Sequence, residues 1–262
     1  MLKKHLGQHL LVDQKILGLE AQLCNVEGEK VLEIGPGSGN LTQKLLESNP
    51  RQIICVEKDP IMVDKLKVRF AGVDRVKIVK QDFLDFGQDG FGRIVGNLPY
   101  YISSKILFKV AKMDFDLAVF CLQREFVARM IAKPGDRDYS RLSVETSKYF
   151  VPKAFIEVPA VAFHPQPKVD SVIISLEKKK PEADAQQSGP ADIFIRAIFS
   201  HRKKTLRAAI LAANRNFFAQ KAEMKSSLDG LPHASQRVFK LTPLQLGQAS
   251  EFLRKKGLEA LV

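Results

Sequence analysis

The apolar run Val31-Leu32-Glu33-Ile34 passes directly into Gly35-Pro36-Gly37-Ser38-Gly39, after which Leu41, Leu45 and Leu46 recur at helical spacing. No other feature constrains the fold as much, because a strand, a glycine loop and a helix in that order mark the crevice of a doubly wound α/β sheet. Glycines at alternate positions let the backbone approach a ligand closely and turn sharply into a helix N-terminus. The spacing is G-x-G-x-G with Asn40 next, so the dinucleotide fingerprint G-x-G-x-x-G is not met, and a Walker-type Lys-Ser/Thr pair is also missing.

Two further strands repeat the pattern of a polar group at the strand end. Ile53-Ile54-Cys55-Val56 ends in Glu57, 22 residues beyond Gly35, where a carboxylate accepts hydrogen bonds from ribose hydroxyls. Val76, Ile78 and Val79 lead to Gln81-Asp82-Phe83, which offers Asp82 to an adenine amino group and Phe83 to the face of the base. Taken alone, either carboxylate reads as a helix cap or a surface charge, and Asp59-Pro60 makes a better cap than Glu57. With the glycine loop they describe a pocket for an adenosine without phosphates, since no basic side chain is expected to line it. S-adenosylmethionine satisfies that description: Gly35 and Gly37 against its methionine part, Glu57 on the ribose, Asp82 and Phe83 on the adenine.

The next strand (Ile94, Val95) delivers Gly96-Asn97-Leu98-Pro99-Tyr100. Asn97 offers a side-chain carbonyl, Leu98 a backbone carbonyl freed by Pro99, and Tyr100 a flat ring. Taken alone this is an ordinary turn. Two acceptors beside an aromatic face nevertheless grip a planar amino group while a small group is transferred to its nitrogen. Further on, Phe163-His164-Pro165-Gln166-Pro167 carries prolines at alternate positions, which stiffen the segment. Phe163 then either stacks on a base opposite Tyr100 or anchors the segment in the core.

Charge adds a partner. The chain carries 41 Lys+Arg against 29 Asp+Glu, and residues 191–262 hold 13 basic and 5 acidic side chains, a local +8 out of +12. Concentrated positive charge is the footprint of a polyanion. Lys178 to Pro190 reads as a linker. It separates an expected catalytic domain over 1–181 from a helical basic domain over 190–262. Ile193 to Ala213 shows helical periodicity, with Ile195, Phe199, Leu206 and Ile210 on one side and Arg196, Lys203 and Arg207 beside them. With Arg202 and Lys204, these form the candidate RNA-contacting set. Cys24, Cys55 and Cys121 are scattered among apolar residues, which predicts buried, reduced thiols. They and the five histidines show no metal-ligand spacing, so no metal is expected. No apolar span or signal segment is evident, and a cytoplasmic monomer is expected.

Taken together, Gly7-Gln8-His9-Leu10-Leu11, Glu33-Ile34-Gly35-Pro36-Gly37, Glu57, Gln81-Asp82, Asn97-Leu98-Pro99-Tyr100, Phe163-His164-Pro165-Gln166-Pro167-Lys168-Val169-Asp170-Ser171 and Phe199-Ser200-His201-Arg202-Lys203-Lys204-Thr205-Leu206-Arg207 resemble the ribosomal RNA adenine N6-dimethyltransferases. The likeness runs through nearly the whole chain and leans toward the small-subunit, archaeal members. It implies a Rossmann-like class I methyltransferase fold, with a seven-stranded, mostly parallel sheet, helices on both faces and a small C-terminal helical domain. It implies S-adenosylmethionine as cofactor, contacted by His9, Leu11, Gly35, Gly37, Glu57, Asp82, Phe83 and Asn97. The target adenine is implied to meet Asn97, Leu98, Pro99, Tyr100 and Phe163. His9 stands where many bacterial relatives carry Asn, and Leu10 where Phe is common. The implied activity is dimethylation of two adjacent adenosines near the 3′ end of small-subunit rRNA. A large-subunit resistance methyltransferase and a non-catalytic ribosome-assembly factor remain alternatives.

Overall fold

A computed structural model describes residues 9–179, 192–213 and 226–258. Lys3, Lys4, Gly7, Gln8 and the linker stretch 180–190 lie outside the described residues. The chain forms two compact units, one of residues 1–127 with 150–178, the other of residues 128–149 with 179–262. The sequence placed a single boundary near 181, whereas residues 128–149 belong to the second unit.

The first unit opens with a short strand, β1 (Leu10–Leu11), and helix α1 (Gln14–Cys24). Asp13 caps α1, its Oδ1 accepting from the backbone N–H of Lys15 and Ile16 at 2.9 and 3.0 Å. Strands and helices then alternate: β2 (Lys30–Ile34), α2 (Asn40–Glu47), β3 (Gln52–Glu57), α3 (Pro60–Arg69), β4 (Val76–Lys80), β5 (Arg93–Asn97), α4 (Ser103–Val110) and β6 (Leu117–Gln123). These five strands are parallel. After α5 (Arg124–Ile131) and α6 (Arg141–Tyr149) come β7 (Phe150–Val158), β8 (Phe163–His164) and β9 (Ser171–Lys178). Strand β9 runs antiparallel between β6 and β7, giving seven strands in the order β4-β3-β2-β5-β6-β9-β7. Strands β2, β3 and β6 are near-continuous apolar runs because both of their faces are covered. Leu17, Val31, Leu45, Ile53, Val95, Val119 and Ile173 meet in one core cluster, joined by all three cysteines, which are free and buried as expected.

The second unit has its own core. Tyr139, Phe194, Ile198, Leu206, Leu246 and Leu253 are buried together. Tyr139 packs edge-on against Phe199, with ring centroids 5.8 Å apart, and its hydroxyl donates to the Leu241 carbonyl at 2.9 Å. The helix expected across 193–213 is two helices, α7 (Asp192–Phe199) and α8 (Leu206–Ala213). The chain turns between them: His201 N–H bonds back to Ile198, Lys204 N–H to His201, and Thr205 bridges to Arg237. A last helix, α9 (Pro243–Lys255), starts at Thr242. Among the described residues no helix is long and apolar enough to cross a membrane.

Candidate active site

The chain leaves β2 for β3 and β4, then crosses back to lay β5 on the other flank of β2. Ligands of doubly wound sheets bind at the carboxyl ends of the strands where the order reverses in this way. A cleft of about 880 Å³, open mouth included, lies there, lined by His9, Gly35, Gly37, Glu57, Asp82, Phe83, Asn97, Leu98, Pro99, Tyr100 and Phe163 among others. The structure therefore gathers most of the predicted site residues into one cavity.

Gly37 is shaped for close approach. Its φ is +57°, and a Cβ there would sit 2.7 Å from Leu10 Cδ2. Its N–H donates to Glu57 Oε2 at 3.2 Å, while Asp59 N–H donates to Oε1 at 2.9 Å. Burial pushes the Glu57 carboxyl up, and those N–H groups with that of Lys58 pull it partly back. Asp59 caps α3 ahead of Pro60, which leaves Glu57 free of that duty. Asp82 also caps a turn, its Oδ1 accepting from Leu84 N–H at 2.9 Å, and its Oδ2 lies 3.8 Å from Lys58 Nζ. Lys58 corrects the expectation that nothing basic lines the cleft. Its ammonium is held by Asp82 and by the Tyr101 hydroxyl at 3.1 Å, a neutral arrangement unlike a phosphate clamp.

Asn97 ends β5 beside these groups. Its Oδ1 is buried without a hydrogen-bond partner, a costly state for a carbonyl unless a ligand N–H meets it. Tyr100 fixes its ring by a hydroxyl contact of 2.8 Å with Ser171 Oγ. The ring stacked on Tyr100 is that of His9, at 5.9 Å and 26°, whose Nδ1 lies 2.7 Å from the Pro165 carbonyl.

Two expectations on the arm and its partner change. Phe163 is 5% exposed and sits in the core, touching the cleft from below. It does not stand free opposite Tyr100, because β8 pairs antiparallel with β1, Phe163 facing Leu11 and His164 facing Leu10. Leu11 turns into the same core, and Leu10 lines the cleft in its place. Alternation along an extended arm gives this swap, and that pattern was available in the sequence. Lys58, Tyr101, Ile106 and Cys121 also line the cleft without having been singled out for it.

In the second unit Arg196, Lys203 and Lys204 are exposed. Arg202 is not a free cation, because its guanidinium donates to the backbone carbonyls of Tyr139 and Arg137. Arg207 pairs with Asp229 at 2.9 Å. Among the described residues no His, Cys, Asp and Glu cluster could hold a metal ion.

The cleft fits the group the sequence implied. It offers a glycine cradle that a Cβ would fill at Gly37, the buried carboxylate of Glu57 and the orphaned side-chain carbonyl of Asn97. Comparisons with known proteins point the same way. A probable ribosomal RNA small subunit methyltransferase A from Pyrococcus abyssi is 33% identical over 252 residues, 95% of this chain and 91% of that protein. Its namesake from Methanosarcina barkeri is 38% identical over 250 residues, 94% and 86% of the two chains. A dimethyladenosine transferase from Plasmodium falciparum superposes with a TM-score of 0.78 at 28% identity, covering 95% of this chain and 98% of the other. The 23S rRNA methyltransferase ErmE superposes with a TM-score of 0.65 at 27% identity, covering 94% and 99%. The family model for ribosomal RNA adenine dimethylase matches residues 1–240, and the chain belongs to that family.

Proposed function

We propose that this protein uses S-adenosylmethionine to dimethylate, at N6, two adjacent adenosines near the 3′ end of small-subunit ribosomal RNA, in step with maturation of the subunit. The observation that carries the reading is the buried, unpartnered Oδ1 of Asn97 in a cleft shared with Gly37, Glu57 and Asp82. The small-subunit target rests on relatives of that name that match along almost their full length.

When bound, S-adenosylmethionine supplies an electrophilic methyl group on a good leaving group. The protein's part is orientation. Adenine's amino lone pair is delocalised into the ring and poorly nucleophilic. Hydrogen bonds from the amino group to Asn97 Oδ1 and the Leu98 carbonyl favour a pyramidal nitrogen with its lone pair directed at the methyl donor. Pro99 keeps the Leu98–Tyr100 turn stiff, and Tyr100 holds the base by its face. Phe163 supports that wall from the core. His9 and Leu10 cover the cleft, Gly35 and Gly37 take the methionine part, Glu57 the ribose, Asp82 and Phe83 the adenine of the cofactor. No side chain need act as an obligate base, because the nitrogen loses its proton readily once it has become cationic. The basic second unit, with Arg196, Lys203 and Lys204 exposed, docks RNA phosphates, and the protein works in the cytoplasm as a monomer.

Purified protein, S-adenosylmethionine and small subunits from a strain lacking the modification are expected to yield N6,N6-dimethyladenosine in nucleoside mass spectrometry. Asn97→Ala is expected to reduce both methylation steps by about 100-fold. Dimethylation confined to protein-free large-subunit RNA, or cofactor binding without any transfer, would overturn the reading.

A further inference from the structure

The glycine loop is tied to two neighbours at once, through side chains that the proposed reaction leaves idle. Arg69, in the last turn of α3, reaches over the loop: its Nη1 donates to the Ser38 carbonyl at 2.7 Å and to Asn40 Oδ1 at 3.0 Å. Asn40 is the first residue of α2, and its Nδ2 donates in turn to the Leu11 carbonyl on β1 at 3.0 Å. A guanidinium only donates, so it takes the carbonyl edge of the Asn40 amide and leaves the N–H edge for β1. Both edges are thereby used, each in the sense its chemistry allows.

The Leu11 carbonyl is available for this bond because of the ladder on the other side of β1. Val12 N–H donates to the Ala162 carbonyl at 2.9 Å, and Leu11 pairs with Phe163 in the adjoining position. Backbone groups alternate along an antiparallel ladder, so those of Leu11 face away from β8. Asn40 meets the carbonyl there. A ladder of two residues is too short to fix a segment by itself, and Leu10 and His9, which follow from it, line the cleft.

We infer that Arg69 and Asn40 are positioning residues: they clasp β1 to the glycine loop, hold Leu10 and His9 along the cleft, and so slow the escape of the cofactor. The inference rests on the cofactor site proposed above. Leu10 marks where the clasp acts, since its Cδ2 lies 2.7 Å from the place a Cβ on Gly37 would take. Loop and β1 therefore keep their spacing only while the Arg69–Asn40–Leu11 relay holds.

The test uses the full chain with Asn40→Ala, Asn40→Asp, Arg69→Met and Arg69→Lys, and S-adenosylhomocysteine as binding probe. Asn40→Ala is expected to weaken the probe roughly fivefold, as loss of one hydrogen bond implies, chiefly through faster release. Arg69→Met is expected to weaken it about two- to fivefold, and Arg69→Lys, which keeps a donor, to recover part of that. In activity the loss falls on KM for S-adenosylmethionine more than on kcat. Asn40→Asp separates clasp from scaffold. It still accepts from Arg69 and places a negative charge in the first turn of α2, where the helix favours one, so the urea midpoint is expected at or above the parent's. Its carboxylate opposes the Leu11 carbonyl, so the probe is expected to bind at least as weakly as in Asn40→Ala. Parental probe affinity in both Asn40 variants would overturn the inference and leave the cofactor site standing. Affinity and urea midpoint falling together in Asn40→Asp would assign Asn40 to holding α2 alone and also overturn it. A parent chain that does not bind the probe would overturn both readings.

Discussion

At Gly96 there is no room for a methyl group. A Cβ would stand 2.6 Å from the Ile34 carbonyl oxygen and 3.2 Å from Leu98 Cδ2, and the first contact is backbone, which cannot step aside. Gly96→Ala must therefore push β5 away from β2 one residue before Asn97. It is expected to lower stability by about 1–3 kcal/mol in urea unfolding and to slow single-turnover methyl transfer more than it weakens cofactor binding. The sequence exposed Asn97, Glu57 and Asp82 because each closes an apolar run, a position strand patterning reveals. It hid Gly96, whose need is a carbonyl on a neighbouring strand. Glu20 was half visible: a carboxylate among Leu17, Ala21 and Cys24, at i, i+3, i+4 and i+7 spacing, interrupts an apolar helix stripe.

Element boundaries followed cap chemistry where it existed. Thr242 and Pro243 were expected to start a helix, and α9 starts there with a reciprocal pair: Thr242 Oγ1 accepts from Gln245 N–H at 3.2 Å, and Gln245 Oε1 accepts from Thr242 N–H at 2.9 Å. Thr242→Ala is expected to cost about 1 kcal/mol, measured by chemical denaturation, with cofactor affinity unchanged. The break between α7 and α8 escaped because Ile195, Phe199, Leu206 and Ile210 enter the same core from both helices. Apolar spacing reports which residues are inside and is blind to a turn that returns the chain to the same interior. The β1–β8 pairing escaped for a related reason: two residues per strand carry no periodicity, and their partners lie far apart in sequence.

For the molecule as a whole, buried acid outweighs any surface pairing in setting the pH response. Glu20 and Glu33 lie in the first unit's interior, raised from an ordinary 4.5 to about 8 and about 7, chiefly by desolvation. The unfolded chain gives up both protons near 4.5, while the fold keeps them to higher pH. Between those values the folded state binds more protons, so stability falls as pH rises, by at most about 1.4 kcal/mol per pH unit for each group. Urea midpoints measured from pH 5 to 8 are expected to decline, and Glu20→Gln to flatten the decline and raise the midpoint at pH 8.

The outer rims of the sheet carry one more consequence. On β7, exposed Pro152 lacks an N–H and the register slips between Pro152 and Ala154, while on β4 Lys77 and Lys80 point into water. An incoming extended peptide would meet a missing donor and a kink along one border, and would have to bury ammonium groups along the other. Lateral growth into fibrillar stacks is thereby blocked at both borders.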